Sequence, residues 1–174
     1  MKKLEDYVRS IPDFPKEGII FRDITTVIQD PVGFKMAIDE MLKKLEGVDF
    51  DVIVGLESRG FIFGAPLAYK LDKGLVLARK KGKLPCETVD CTYELEYGSA
   101  TIEMHKDAIK KGDKVVVVDD LLATGGTFKA GINLVEQLGG EVVKVLAMIE
   151  LPALKGKEAL KDYDVETIIA FDGE

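Results

Sequence analysis

The sequence has 174 residues, of which 47% are hydrophobic and 32% are charged, a balance typical of one globular domain with a full hydrophobic core. Its formal net charge of −7 argues against a protein that coats nucleic acid, and no apolar run approaches the roughly 20 residues that a membrane-spanning helix needs. The first residues, MKKLEDYVRS, carry acids where a signal peptide would have its apolar segment, so we expect a cytoplasmic protein.

The hydrophobic pattern predicts strands and helices that alternate along the chain. The predicted elements, in chain order, are a short helix over residues 2–10, a short strand or extended arm at GIIFRDIT, a helix from Pro31 to about Leu45, a strand at DVIVGL, a helix from about Arg59 to Leu71, a strand at GLVLAR, a long irregular polar segment over 80–99, strands at ATIEMHK and KVVVVDD, a helix after the latter, and strands at VVKVLAMIEL and ETIIAF. Because short connections join most of these elements, we predict an α/β domain with a mainly parallel central sheet flanked by helices. The irregular segment is interpreted as either a functional lid or a disordered loop.

The sequence offers few ligands for a protein-bound metal ion. Cys86, Cys91 and His105 are its only cysteines and its only histidine, and a zinc site needs four ligands at closer spacing. We therefore expect no metal ion that is held directly by protein side chains.

The stretch VVVVDDLLATGGT, residues 115–127, joins an apolar strand to two acids and a glycine turn. Asp119 and Asp120 follow the strand at its carboxyl end, where open α/β sheets bind their ligands. Residues 123–127 open a helix, and a glycine-rich helix N-terminus favours an anion. The pattern lacks the lysine of a nucleotide phosphate loop after its two glycines. It therefore predicts a site for a phosphorylated sugar, with the phosphate on the turn and the sugar hydroxyls on the acids.

Two further stretches favour an anionic ligand. GLESRGF follows a predicted strand and opens a helix, so that Ser58, Arg59 and the Gly60 backbone can meet an anion, although an ordinary helix cap is the alternative. ARKKGKLP places Arg79, Lys80 and two further lysines directly after another strand, where a polyanionic ligand and a solvated loop are both open interpretations.

The stretch YELEYGSA lies inside the long polar segment and combines acids with aromatic residues. Aromatic side chains in a lid can exclude water, and a carboxylate there can transfer a proton. Tyr93 and Tyr97 are the aromatic candidates, and Glu94 and Glu96 are the candidate carboxylates.

These stretches carry a family resemblance. VVVVDDLLATGGT resembles the phosphoribosyl-pyrophosphate motif of the type I phosphoribosyltransferases. With FPKEGIIFRDIT, GLESRGFIFG, RKKGKLP and LEYGSATIEMHKDAI, nearly the whole chain resembles the adenine-specific members of that family. The resemblance implies the type I phosphoribosyltransferase fold in one domain over 1–174, with a small N-terminal hood (about 1–30) over the base site and a core (about 31–174) that carries a flexible loop at 80–99. It also implies a homodimer, and we expect neither a nucleic-acid nor a membrane partner.

The implied reaction transfers ribose 5-phosphate from phosphoribosyl pyrophosphate to adenine N9, giving AMP and pyrophosphate, with Mg²⁺ carried on the substrate pyrophosphate. Asp119 and Asp120 would hold the ribose hydroxyls and favour the positive charge that develops at C1. Arg79 would reach the neighbouring subunit's site. The residues that the resemblance assigns to phosphoribosyl pyrophosphate are Ser58, Arg59, Gly60, Arg79, Lys80, Lys83, Asp119, Asp120, Ala123, Thr124, Gly125, Gly126 and Thr127.

The resemblance also implies how the base is held. Adenine would stack between Phe21 and Leu121, with Arg22 beside them, and the Ile20 backbone would read its N6 and N1. The hypoxanthine–guanine enzymes carry a third acid where this sequence has Ala123, so that Glu96 becomes the candidate catalytic residue for the purine proton, with Tyr97 in the lid.

Three further expectations follow from the resemblance. The Glu57–Ser58 peptide would be cis. A transferase for another purine (hypoxanthine, guanine or xanthine) is the first alternative function. A non-catalytic regulator that binds phosphoribosyl pyrophosphate is the second.

Overall fold

The computed structural model describes residues 1–95 and 98–173, and these contain one large sheet and one small one. The strands are β1 (Arg9–Pro12), β2 (Ile20–Asp23), β3 (Val52–Leu56), β4 (Gly74–Lys80), β5 (Thr88–Glu94), β6 (Ser99–His105), β7 (Lys114–Leu122), β8 (Glu141–Glu150) and β9 (Val165–Ala170). The helices are α1 (Thr25–Ile28), α2 (Pro31–Leu45), α3 (Arg59–Lys70), α4 (Gly126–Gln137) and α5 (Gly156–Ala159), with 3₁₀ turns at Leu4–Tyr7 and Pro152–Leu154. Of the helices described here, none is both long enough and apolar enough to span a bilayer.

The large sheet has the strand order β5-β6-β4-β3-β7-β8-β9. Strands β4, β3, β7, β8 and β9 run parallel; at one edge β6 pairs antiparallel with β4, and β5 pairs antiparallel with β6. The predicted mainly parallel sheet flanked by helices is therefore confirmed. The small sheet is an antiparallel pair of β1 and β2, which we call the N-terminal ribbon.

Strand β7 is the centre of the core because its four valines are buried on both faces of the sheet. Val116 and Val118 pack into the cluster that includes α2 and α3, whereas Val115 and Val117 pack into the cluster that includes α4. All four side chains are fully buried. An unbroken β-branched run is what a strand covered by helices on both sides requires.

Helix α2 shows how the sequence sets helix boundaries. The Asp30 carboxylate accepts hydrogen bonds from the Val32 and Gly33 backbone N–H groups at 2.9 and 3.0 Å, and Pro31 occupies the first helical position. The helix then buries residues at helical spacing on the sheet. These residues are Gly33, Ala37, Met41 and Leu45.

Two predicted elements are wrong. The predicted helix over 2–10 is only a 3₁₀ turn at Leu4–Tyr7, and Arg9–Pro12 instead pairs with β2. Since this segment buries only Leu4 in its turn, it has no apolar face that could hold a longer helix against the core.

The segment 80–99 is not irregular throughout, because Thr88–Glu94 form β5. Val89, Cys91 and Tyr93 alternate with exposed polar residues, pair with β6 and pack on the α4 side of the sheet. The segment was predicted to be irregular because it is polar overall, whereas this period-2 alternation is typical of a strand with one buried face.

The order of the parallel strands creates a crevice between β3 and β7. The connection from β3 through α3 leads to β4 on one side, and the connection from β7 through α4 leads to β8 on the other. Helices α3 and α4 cover opposite faces of the sheet. Such a switch in strand order is where α/β sheets bind their ligands, at the carboxyl ends of the strands.

Candidate active site

A cavity of about 360 Å³ lies at the carboxyl ends of β3 and β7. It is lined by the β3–α3 corner, the end of β7 and the turn that opens α4. The lining residues are Glu57, Ser58, Arg59, Tyr93, Asp119, Asp120, Leu121, Ala123, Thr124, Gly125, Gly126, Thr127 and Phe128. The fold therefore brings together two stretches that lie about 60 residues apart in the sequence.

The β3–α3 corner approaches β7 closely. The Glu57–Ser58 peptide is cis, as the resemblance implies. A Cβ atom at Gly60 would lie 2.7 Å from the Val118 carbonyl oxygen and 3.1 Å from Asp119 Oδ1. Only glycine allows this approach, which sets the first turn of α3 against the two acids.

Asp119 and Asp120 form a buried acidic pair, with 8% and 3% of their surfaces exposed. The Asp120 backbone N–H donates to Asp119 Oδ1 at 2.8 Å, and Arg59 Nε lies 2.7 Å from Asp120 Oδ2. The pKa of Asp119 is raised well above its ordinary value, mainly by burial and secondly by the negative charge of Asp120. Hydroxyl donors or positive charge placed beside the pair would relieve this destabilisation of the carboxylate.

Residues 123–127 form a tight turn at the N-terminus of α4. Gly125 has φ = +89°, a left-handed conformation that glycine adopts without strain, and its carbonyl accepts from Lys129 N at 2.9 Å in the first turn of the helix. The first N–H groups of a helix have no partner within the helix, so this turn can bind a phosphate.

Gly156 of α5 supports this turn from behind. A Cβ atom on Gly156 would lie 2.5 Å from the Ala123 carbonyl oxygen, and one on Gly125 would lie 3.3 Å from the Gly156 carbonyl oxygen. No sequence signal indicated this contact, because it joins two segments far apart in the chain through backbone atoms alone.

The predicted base-binding residues lie in two places. Leu121 lines the cavity, and Phe21 of the ribbon lies close to it, with the Arg59 guanidinium 6.0 Å from the Phe21 ring centroid. Phe14 packs edge-on against Phe21 at 5.2 Å. Arg22 has a different environment: its guanidinium donates to the Ser10 hydroxyl and lies 4.4 Å from a further aromatic ring, that of Phe171 near the C-terminus.

Strand β2 thus presents Phe21 towards the β3–α3 corner, while Arg22 joins the ribbon to the C-terminal segment. Ile20 is half-buried at the start of β2 and is opposite Pro12 in the strand register.

The basic segment begins at the rim of the cavity. The Glu57 carboxylate accepts from the Lys80 backbone N–H, and Arg79 Nε lies 3.5 Å from Glu57 Oε2. The Lys80 and Lys83 side chains are exposed and are not among the residues that line the cavity.

Two candidates, Glu96 and Tyr97, lie outside the described residues. Glu57 and Phe128 line the cavity but are not among the residues predicted from the sequence, whereas Tyr93 was predicted only as an aromatic residue of a lid. The alternation of apolar and polar residues along β5 could have predicted that the side chain of Tyr93 faces inwards.

Known proteins resemble this protein in both sequence and structure. A family model described as phosphoribosyl transferase domain matches residues 26–173. The adenine phosphoribosyltransferase of Agathobacter rectalis is 63% identical over 174 residues, and the match covers all of both chains. The crystal structure of adenine phosphoribosyltransferase from Thermoanaerobacter pseudethanolicus matches with a TM-score of 0.94 and 52% identity, over 97% of this chain and 100% of that one.

A third similar protein was solved with ligands. The adenine phosphoribosyltransferase of Saccharomyces cerevisiae, in complex with D-2,5-dideoxy-2,5-imino-altritol 1,6-bisphosphate and adenine, matches with a TM-score of 0.91 and 44% identity over 95% of this chain and 96% of that one. Sequence identity and fold agree over almost the full length of each protein. The chain therefore belongs to the adenine phosphoribosyltransferases of the phosphoribosyltransferase family.

Proposed function

We propose that this protein transfers ribose 5-phosphate from phosphoribosyl pyrophosphate to adenine N9, giving AMP and pyrophosphate. The observation that carries the proposal is the cavity itself, in which the buried pair Asp119 and Asp120 lies beside the phosphate-type turn 123–127. A phosphorylated sugar needs both groups at once. The reaction breaks the bond from C1 to the pyrophosphate oxygen and forms the bond from C1 to N9.

The acidic pair would act on the ribose. The sugar hydroxyls donate hydrogen bonds to Asp119 and Asp120, and the two carboxylates favour the positive charge that develops at C1 as pyrophosphate departs. Their burial strengthens this effect, because charges interact more strongly away from water.

Two anion subsites would flank the ribose. The 5-phosphate binds the backbone N–H groups and the Thr124 and Thr127 hydroxyls of the turn. The pyrophosphate binds the corner formed by Ser58, Arg59 and Gly60, together with the basic segment that starts beside Glu57.

Mg²⁺ fits this site as an ion carried by the substrate. The described residues contain no group of three or more His, Cys, Asp or Glu side chains placed to hold a metal ion. Mg²⁺ commonly binds through substrate phosphates and keeps several water ligands. When bound to the pyrophosphate, it would neutralise the charge of the leaving group.

The ribbon would cover the base as a hood. Phe21 and Leu121 stack on the two faces of adenine, and the Ile20 backbone reads its edge. Pro12 is opposite Ile20 in the register and has no N–H, so it cannot donate a hydrogen bond to the Ile20 carbonyl. That carbonyl would accept from N6 of adenine. Glu96 would receive the purine proton, and Tyr97 would close the lid.

Assembly and location complete the proposal. We infer a cytoplasmic homodimer in which Arg79 also serves the partner's site. Within its own subunit Arg79 Nε lies near Glu57, at the rim of the cavity. From this rim the guanidinium could extend into the site of a partner subunit.

The test is a turnover assay with adenine and phosphoribosyl pyrophosphate that measures AMP and pyrophosphate. The wild-type protein should form both products in equal amounts, and Asp119→Asn/Asp120→Asn should lose at least about a hundredfold in kcat because charge near C1 is lost. A folded double variant that retains a near-normal rate would contradict the roles given to the two acids.

A further inference from the structure

Glu103 is a buried acid that the proposed reaction leaves without a role. It lies on β6 with 4% of its surface exposed. Its Oε1 accepts hydrogen bonds from the Gly82 N–H at 3.0 Å and the Leu84 N–H at 2.9 Å, and its Oε2 lies 3.5 Å from the Thr88 hydroxyl. One carboxylate therefore fixes the backbone of the turn over residues 80–84, which we call the lysine turn.

The carboxylate of Glu103 is held in its charged form. Burial opposes ionisation, but hydrogen bonds from the backbone N–H groups of Leu84, Gly82 and Lys83 outweigh it and lower the pKa of Glu103 below its ordinary value. An ionised acceptor forms stronger hydrogen bonds than a neutral one, so the lysine turn has a charge-assisted anchor.

The three lysine side chains of the lysine turn are exposed, and two of them could bind an anionic ligand. The Lys81 ammonium pairs with Asp90 at 2.9 Å. Within residues 1–95 and 98–173, no carboxylate forms an ion pair with Lys80 or Lys83. Two ammonium groups are thus exposed on a turn whose backbone is fixed.

The lysine turn is also attached to the cavity. The Lys80 N–H donates to the carboxylate of Glu57, which lines the cavity, and the Lys81 N–H donates to the Thr101 carbonyl of β6 at 3.0 Å. The turn is therefore held from both sides, by the cavity rim and by β6.

We propose that Glu103 is a positioning residue for the pyrophosphate group: its carboxylate holds the lysine turn so that Lys80 and Lys83 meet this polyanion with little loss of conformational freedom. The inference rests on the proposed function. Pre-ordering a binding segment in the free protein strengthens binding because the cost of ordering has already been met. Glu103 does not touch the reacting atoms, so it acts through the lysines.

The test compares the affinities of the pyrophosphate subsite and the 5-phosphate subsite in the variant Glu103→Ala. We expect the KM for phosphoribosyl pyrophosphate, and the KM for pyrophosphate in the reverse reaction, to rise by about tenfold or more. The Kd of AMP, which carries no pyrophosphate, should stay within about twofold of the wild-type value. General loss of stability would not produce this split between pyrophosphate and AMP.

Three variants complete the design. Glu103→Gln keeps an oxygen for the Gly82 and Leu84 N–H groups and should recover most of the lost affinity. Glu87→Ala removes an exposed acid of the same segment and should leave both affinities unchanged. The double variant Lys83→Ala/Glu103→Ala should have a KM for pyrophosphate no higher than that of whichever single variant has the higher KM.

Clear results would overturn the proposal. It fails if a folded Glu103→Ala protein binds pyrophosphate normally, or if AMP weakens as much as pyrophosphate. Should Glu103→Ala not fold, Glu103→Asp keeps the charge but withdraws it from the N–H groups, and the same split is then required of it. A wild-type protein that makes no AMP from adenine would instead contradict the proposed function.

Discussion

At the residue scale, Asp23 fixes the strand that carries Phe21. Its Oδ1 accepts from the Thr25 hydroxyl at 2.7 Å and the Thr25 N–H at 2.9 Å, and its Oδ2 accepts from Arg9 Nε at 3.0 Å. The Thr25 hydroxyl and then Arg9 lower the pKa of Asp23 from 3.8 to about 2. The ion pair joins β1 to β2, so the same contacts hold the ribbon together.

This pKa predicts a pH dependence of stability. Because the folded-state pKa of Asp23 is lowered, its contribution to the free energy of unfolding is complete above about pH 4 and is lost as the pH falls towards 2. The difference in unfolding free energy between wild type and Asp23→Asn should therefore be constant above pH 4 and shrink below it. Urea denaturation at each pH measures this difference. A difference for Asp23→Asn that stays constant down to pH 2 would contradict the account.

At the element scale, α5 packs against the turn over residues 123–127, the proposed phosphate site, which we call the phosphate turn. In Gly156→Ala the new Cβ would meet the Ala123 carbonyl oxygen and the Leu122 side chain, at 2.5 and 2.7 Å, so the turn and α5 must move relative to each other. A displacement of about 1 Å can cost on the order of a hundredfold in rate. We expect the Kd of AMP to rise by about tenfold or more, while the pyrophosphate KM changes little. This pattern is the reverse of that expected for Glu103→Ala.

A matched glycine provides the control for this prediction. Gly74→Ala lies on β4, where the new Cβ would make ordinary contact with Val52 at 3.7 Å, and it should leave AMP binding unchanged. Calorimetric titration of AMP into both variants makes the comparison. If Gly156→Ala binds AMP as tightly as Gly74→Ala does, α5 does not position the turn.

The sequence predicted those elements whose own residues specify them. The valines of β7 and the capped, periodic α2 are local patterns, and both were predicted correctly. Strand β1 was missed because its pairing with β2 is decided by residues 8 to 14 positions away, such as Asp23 opposite Arg9. The placement of the two acids near the end of β7 and of the glycine turn at the start of α4 was likewise predicted, because strand, acids and turn are contiguous.

The supporting contacts of the site could not be predicted. Glu103 on the lysine turn and Gly156 on the phosphate turn each join segments about 20 or more residues apart in the sequence. Local sequence patterns do not record such partners. Only the register of β6 and the path of the backbone after β8 bring them together.

At the scale of the whole molecule, the site that we propose would be assembled from three distant regions. The ribbon would supply Phe21, β3 and β7 form the two sides of the crevice, and the edge strands β6 and β5 carry the contacts of the lysine turn and Tyr93. We propose that these regions form an adenine-specific transferase in which the Ile20 backbone reads the base.

Backbone reading predicts a definite selectivity. Adenine has a donor at N6 and an acceptor at N1, whereas hypoxanthine has the reverse, and a backbone carbonyl and N–H pair cannot exchange roles. Two mismatches of roughly 1–3 kcal/mol each correspond to a factor on the order of 10²–10⁴ in kcat/KM. Ile20→Val should leave this factor almost unchanged, because the side chain of residue 20 makes no contribution to it.

The measurement that tests this claim most directly is kcat/KM for adenine, hypoxanthine and guanine under identical conditions, in wild type and in Ile20→Val. The account predicts that adenine exceeds both other bases by on the order of a hundredfold or more in both proteins. A value for hypoxanthine or guanine within tenfold of that for adenine would contradict it.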